Sequence, residues 1–150
     1  MHGKRNESRD TARAMSQENV EALRWLYGEW AKGKLWALTD IADPQIEWEW
    51  EEAMASVYGG PRVYRGLKEI GAATLEWLEP WDAYWMTAEE FFEADDEVVV
   101  FMRVHAQGGE SDRVIEQRIA AVWEMRDGRA MRVRYYEDRA QALKAIGLSE

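Results

Sequence analysis

The second half of the chain carries three long strand-like segments separated by tight turn signals. The segments cover 97–105, 113–125 and 130–137, and the turn signals between them are Gly108-Gly109 and Asp127-Gly128. Connections this short join antiparallel neighbours, because a parallel crossover needs about a dozen residues or more. The sequence therefore predicts an antiparallel meander after a mostly helical first half, which places the fold in the α+β class.

The first half alternates helical periods with one short strand. Apolar residues recur at three- and four-residue intervals over 20–30, behind Ser16 as the N-cap, and predict an amphipathic helix that ends near Gly33. The segment 51–64 shows no sustained period and is expected to be a loop that covers a pocket. The other predicted elements are a helix over 35–41, a strand over 45–50, a helix over 67–78, a strand over 84–93 and a helix over 139–146 capped by Asp138.

Length and composition indicate one domain with a tail. A chain of 150 residues can bury about two thirds of its unfolded surface in a single core. Residues 1–15 are polar and show no apolar period, so we expect a flexible N-terminal arm followed by one domain over 16–150.

Charge and residue types argue against several partners. A formal net charge of −10 repels phosphate backbones, so nucleic acid is not an expected partner. The chain has no Cys and no apolar run of about 20 residues, so we expect a cytoplasmic protein without disulfides or a membrane partner. The acidic run over 47–52 is expected on the solvated surface, and His2 and His105 are the only imidazoles. We therefore expect no metal and no other cofactor.

Several landmarks together resemble a known family. They are Gly33 after an aromatic helix, Ala42-Asp43-Pro44 before the first strand, Val63-Tyr64-Arg65-Gly66 before the third helix, and Trp123-Glu124-Met125-Arg126-Asp127-Gly128 in the last hairpin. In this pattern the chain resembles the SnoaL-like polyketide cyclases of the nuclear transport factor 2-like, or ketosteroid isomerase-like, superfamily. The resemblance implies a cystatin-like cone, in which a curved, mostly antiparallel sheet wraps around N-terminal helices and encloses an apolar pocket. It also implies a homodimer.

Strand alternation suggests which side chains line that pocket. If Trp48 and Trp50 face inward, the odd-numbered residues of the long strands are expected to face inward with them. Trp30 and Trp81 are further candidates for stacking on a planar ligand. The expected ligand contacts are therefore Trp30, Trp48, Trp50, Trp81, Phe101, Gln117, Ile119 and Trp123.

The same alternation suggests three catalytic candidates. By resemblance, the positions of the ketosteroid isomerase acid–base groups hold Trp48, Leu26 and Ala121, which cannot perform that chemistry. The positions that hold an Arg-x-Asp pair and a second Asp in limonene epoxide hydrolase hold Arg103-Val104-His105 and Tyr135. We therefore expect His105 as acid or base, Tyr135 as donor to a developing oxyanion, and Arg103 as an oxygen ligand.

Two hypotheses for function follow. One is a cofactor-free cyclase, isomerase, dehydratase or epoxide hydrolase that acts on a small hydrophobic, carbonyl-bearing molecule. The other is a non-catalytic ligand-binding or dimerisation domain, with His105 in water at the rim and Arg103 in a buried structural pair with Glu137 or Glu116. A homodimer is also expected because the even-numbered residues over 98–104 form a second apolar face.

Overall fold

A computed structural model of the chain describes the backbone of residues 2–58, 60–109 and 113–148 and the side chains of 17–52, 54–56, 60–109 and 113–148. Within those ranges, no helix is both long and apolar enough to cross a membrane. The elements in chain order are α1 (His2–Ala31), a 3₁₀ helix (Leu35–Ala37), α2 (Leu38–Ile41), β1 (Ala42–Trp50), α3 (Glu52–Tyr58), β2 (Val63–Arg65), α4 (Gly66–Leu78), β3 (Ala83–Ala94), β4 (Glu97–Gly108), β5 (Arg113–Arg126), β6 (Arg129–Tyr136) and α5 (Arg139–Ala145).

The predicted three-strand meander is confirmed and is extended by β3 as a fourth strand. β3, β4, β5 and β6 pair antiparallel in sequence order. β1 lies parallel to β6 and pairs antiparallel with β2 on its other side, so the sheet order is β2-β1-β6-β5-β4-β3. Helices α1 and α4 pack on the inner face of this curved sheet, and α5 packs on the outer face. The expected α+β class and cone architecture are confirmed.

The turn Asp127-Gly128 joins β5 to β6 and is held by the first helix. Both turn residues have positive φ, 52° for Asp127 and 76° for Gly128, as a type I′ turn requires. The side chain of Asn19, only 3% exposed, accepts a hydrogen bond from the Gly128 backbone N–H at 2.8 Å. Helix α1 is thereby connected directly to the last hairpin.

Tyr27, Trp123 and Met102 form a buried chain of polar contacts in the core. Trp123 Nε1 donates to the Tyr27 hydroxyl at 3.0 Å, and that hydroxyl donates to the Met102 sulfur at 3.2 Å. Burial raises the pKa of Tyr27, and the hydrogen bond from Trp123 offsets this only in part. The phenol therefore stays protonated, and its hydroxyl links α1 to both β4 and β5.

The register of β4 places its even-numbered side chains inside the cone. Val98 lies opposite Trp123 and Met102 lies opposite Ile119, and directly opposite residues share a face of the sheet. The expectation that the odd-numbered residues face inward is therefore wrong for β4. Both faces of this strand are apolar, since Val99 and Phe101 lie on one face and the even-numbered residues on the other. The sequence pattern therefore did not indicate which face points into the cone.

Helix α5 packs on the outer face of β4 and β5. Ala142 and Leu143 of α5 pack against Val99, Phe101 and other outward side chains. Asp138 caps α5, as predicted, by accepting a hydrogen bond from Ala140 N at 2.8 Å. The even-numbered face of β4 lies in the core rather than exposed. The argument for a homodimer from that face is therefore wrong, and the dimer itself stays a prediction.

Two segments differ from the sequence expectations. Helix α1 begins at His2, so Ser16 lies within the helix and is not its N-cap. The good helix formers among residues 4–14 favour this extension; flexibility of the expected arm stays a prediction. The expected loop over 51–64 contains helix α3 and the start of strand β2. It was missed because a seven-residue helix and a three-residue strand are too short to show a period.

Replacing Tyr27 with Phe is expected to lower the free energy of unfolding by about 1–3 kcal/mol, because the buried N–H of Trp123 loses its acceptor. Urea unfolding followed by tryptophan fluorescence measures the change. Tyr136→Phe is the control, since its half-buried hydroxyl accepts only a 3.4 Å contact from Arg134. Equal stability of Tyr27→Phe and the wild-type protein would contradict this prediction.

Candidate functional site

Four aromatic side chains, Trp48, Trp50, Trp77 and Tyr135, form a cluster inside the cone, called here the aromatic cluster. Trp48 and Trp50 alternate along β1, so both point to its inner face. Tyr135 joins them because Trp50 lies opposite Tyr135 where β1 pairs with β6. The Tyr135 ring centroid lies 5.0 Å from each of these indoles. Helix α4 adds Trp77, whose ring lies 4.9 Å from that of Trp50 at 87°.

The aromatic cluster lines a cavity in the cone. Its volume is about 50 Å³, which holds a water-sized group, whereas pockets for drug-sized ligands measure roughly 300–1,000 Å³. None of the described lining residues is charged or a histidine, and the polar ones beside the cluster are Thr39, Thr74 and Tyr84. The interior of the cone is therefore mostly filled by aromatic rings and is almost wholly apolar.

Two buried donors of the aromatic cluster have no hydrogen-bond partner among the described residues. They are Trp48 Nε1 and the hydroxyl of Tyr135, whose side chains are 7% and 2% exposed. A buried polar group left unpaired costs about 1–3 kcal/mol. Burial, and after it the proximity of Tyr27 and Tyr84, raises the pKa of Tyr135 well above its usual value. The phenol is therefore neutral and available to donate.

A larger groove, of about 800 Å³, lies between α4 and the β1–β2 pair. The wall of the groove includes Tyr64, Glu69 and Glu76, together with Gly60 and Pro61. The residues that line both the groove and the cavity are Trp48, Trp50, Ile70, Thr74 and Trp77. The aromatic cluster therefore separates the small inner cavity from the groove.

Arg103 lies on the outer face of the sheet, away from the cavity. Strand β3 has a bulge at Glu89: Ala88 lies opposite Met102 and Glu90 lies opposite Phe101, so Glu89 has no residue opposite it on β4. Arg103 donates to Glu89 at 3.0 Å and to Glu116 at 2.7 Å. Glu116 is thus confirmed as a partner of Arg103, but the pair is partly exposed rather than buried, and the expected position of Arg103 in the pocket is wrong.

His105 shares that outer face and does not meet Tyr135 across the cavity. Its ring stacks on Trp85 at 5.0 Å and 1°, and Nε2 lies 3.1 Å from Thr87 Oγ1. Nδ1 lies 3.9 Å from a Glu116 carboxylate oxygen, and the side chain is 17% exposed. The structure therefore does not bring the three predicted catalytic residues together. It also does not leave this imidazole in bulk water.

The predicted ligand contacts divide evenly. Trp30, Trp48, Trp50 and Ile119 line the cavity, whereas Trp81, Phe101, Gln117 and Trp123 do not. Phe101 packs on the outer face under the Arg139 guanidinium, 4.7 Å from the ring centroid, because of the β4 register. Trp123 is fully buried against Tyr27.

Sequence reasoning did not select Trp77 and Tyr84 as site residues. Trp77 follows Ile70 and Thr74 at helical spacing on α4, and this pattern also describes an ordinary core face. Tyr84 is the second residue of β3, opposite Ala106, and faces the cavity together with Met86. Among the side chains that can be described, no group of three His, Asp or Glu residues is arranged to hold a metal ion.

Acidification should weaken the protein through Glu89. Its hydrogen bonds with Arg103 and then Arg139 lower its pKa from 4.5 to about 2. A carboxylate with a lowered folded-state pKa contributes stability above its unfolded value and loses it as the pH falls. We therefore expect the free energy of unfolding to decrease from about pH 4.5 toward pH 2. The Glu89→Gln variant should be less stable than the wild-type protein at pH 7, and its free energy of unfolding should change less with pH across this window.

Urea unfolding at a series of pH values tests this expectation. Glu90→Gln is the matched control, because it removes the same charge at a neighbouring exposed position. If Glu89→Gln keeps both the stability at pH 7 and the acid slope of the wild-type protein, the proposed contribution of Glu89 is wrong.

Tyr135→Phe should raise the free energy of unfolding, in contrast to Tyr27→Phe. The substitution removes a buried hydroxyl that lacks a partner and keeps the ring that packs between Trp48 and Trp50. A gain of about 1 kcal/mol is expected, measured by the same urea unfolding. A loss as large as that of Tyr27→Phe would mean that the Tyr135 hydroxyl is satisfied in the folded protein.

Comparisons with known proteins agree with this architecture. An NTF2-like protein of unknown function from Burkholderia pseudomallei has 20% identity and a TM-score of 0.68, over 87% of this chain and 98% of that one. TerC, crystallised with polyporic acid, has 22% identity and a TM-score of 0.69, over 86% and 97%. A protein with a ketosteroid isomerase-like fold from Catenulispora acidiphila, in complex with trimethylamine, has 14% identity and a TM-score of 0.64, over 85% and 93%.

Identities this low establish a shared fold and nothing more. A search of curated proteins finds no match to the chain. The sequence profile described as the SnoaL-like domain matches residues 22–133, which is most of the chain. The chain therefore belongs to the SnoaL-like domain family, as its sequence landmarks indicated.

Proposed function

We propose that the protein binds a small, largely apolar molecule that carries a hydrogen-bond-accepting oxygen, such as a carbonyl, at the aromatic cluster. The observation that carries this proposal is the pair of unpaired donors, Trp48 Nε1 and the Tyr135 hydroxyl. Both residues line one apolar cavity. An acceptor placed there would remove two desolvation penalties at once, so its binding gains more free energy than the same contact at an exposed site.

The volumes of the cavity and the groove suggest which part of such a ligand would lie in each. The cavity, of about 50 Å³, has room for the oxygen end alone, and the groove of about 800 Å³ has room for the rest. A ligand that occupies both must pass the rings of Trp50 and Trp77, so binding is expected to shift these side chains. Structures of two neighbours with polyporic acid and with trimethylamine support the idea that this fold accommodates small organic molecules.

Binding without turnover has more support than catalysis. A general base must lie within hydrogen-bond reach of the substrate. The described lining of the cavity, where the oxygen end would lie, contains no carboxylate or imidazole, and the groove carboxylates Glu69 and Glu76 lie outside that lining. His105 and Arg103 face the other side of the sheet. A cofactor-free cyclase, isomerase, dehydratase or epoxide hydrolase that uses His105 would therefore need a substrate at the outer face.

Cyclohexanone and methylenecyclohexane test the proposal, because they have nearly the same shape and differ in the accepting oxygen. Ligand-observed NMR should detect about tenfold tighter binding of the ketone to the wild-type protein. Tyr135→Phe should remove most of that preference, whereas Tyr136→Phe and His105→Ala should keep it. Equal affinity for the two compounds in the wild-type protein would refute the proposal.

A further inference from the structure

The charged groups that line the groove are all acidic. Glu69 and Glu76 of α4 are the charged residues of its described wall, which includes no Lys or Arg. The nearby Arg62 and Arg65 are not part of that wall, and each forms an ion pair with a glutamate of β1, at 3.8 Å and 3.3 Å. The charged side chains of the described groove wall therefore favour a negative potential, although Arg62 Nε also donates to the backbone oxygen of Trp50 at 3.2 Å.

Two further observations agree with a negative potential. Burial and, after it, the charge of Glu76 raise the pKa of Tyr64 on the opposite wall. Helix α4 also ends beside the groove, and its last turn, which contains Trp77, has no basic side chain. The carbonyl end of a helix carries a partial negative charge that favours cations. Acidic side chains and the helix end thus act in the same direction.

The aromatic cluster supplies walls of the kind that hold organic cations. Trp50 and Trp77 stand at 87° with centroids 4.9 Å apart, and Trp48 stands at 61° to Trp77 with centroids 6.2 Å apart. All three indoles line the groove. Adjoining ring walls near a right angle form a corner into which a rounded alkylammonium group fits, and indole gives the strongest cation–π attraction of the natural side chains.

We infer that the ligand of this site is an alkylated ammonium compound that carries the accepting oxygen. Its ammonium group would lie in the groove, against Trp50 and Trp77 and near Glu69 and Glu76. Its oxygen would accept from the unpaired Nε1 of Trp48, a residue that is 7% exposed and lines both concavities, and from Tyr135. The inference rests on the proposed function and narrows it from an apolar oxygen compound to a cationic one.

Choline and 3,3-dimethylbutan-1-ol test the inference, because they share a hydroxyl and a shape and differ in the charge of one central atom. Isothermal titration of the full chain at low salt should give an affinity for choline at least about tenfold higher than for the neutral alcohol. Glu69→Gln/Glu76→Gln should lower the affinity for choline several-fold and leave that for the alcohol unchanged. Glu79→Gln, which removes a charge outside the groove wall, should change neither.

The possible results distinguish a failure of this inference from a failure of the proposed function. If choline binds no more tightly than the alcohol, or if Glu79→Gln weakens choline as much as the double variant does, the inference is overturned. Cyclohexanone binding that depends on Tyr135 would still support the proposed function in that case. If choline, the alcohol and cyclohexanone all fail to bind, the proposed function and the inference fall together. A second variant, Trp77→Leu, should abolish the preference for choline while the protein stays folded by circular dichroism.

Discussion

The register between β4 and β5 determines which side chains are inside this protein and which are outside. Pairing Met102 with Ile119 gives the cone an apolar lining and places Arg103 opposite Arg118 on the outer face. A shift of one residue would exchange the two sets and bury several charged groups. The packing of α1, the cover provided by α5 and the composition of the cavity all depend on this single alignment.

The general fold was predictable because turn chemistry is local. Asp127-Gly128 has the positive φ angles that a two-residue hairpin requires, and it alone indicates that β5 and β6 are antiparallel neighbours. The faces of β4 were not predictable, because an apolar residue at every position from 98 to 102 removes the alternation on which such a prediction depends. The bulge at Glu89 likewise reverses the facing of β3 without any Gly or Pro to announce it.

The candidate site was predictable only where alternation was clear. Trp48 and Trp50 are separated by a charged residue, so their common face follows from the sequence, and Tyr135 follows from its place on β6. Trp77 depends on where α4 docks, which no local pattern encodes. The chemical character of the site was harder still. It comes from two donors that lack partners, and a missing hydrogen bond is a property of the assembled structure rather than of any segment.

The hydrogen bond from Gly128 to Asn19 spans 109 residues and has a consequence for biosynthesis. Helix α1 is translated before the strands that pack on its aromatic side, first β3 with Phe91 and later β5 with Trp123. At about 5–20 residues per second, roughly 5–20 s pass between the synthesis of α1 and that of Trp123. During that interval Tyr27 and Trp30 lack their native neighbour Trp123 on β5, so apolar side chains of α1 stay accessible to chaperones until β5 has been made.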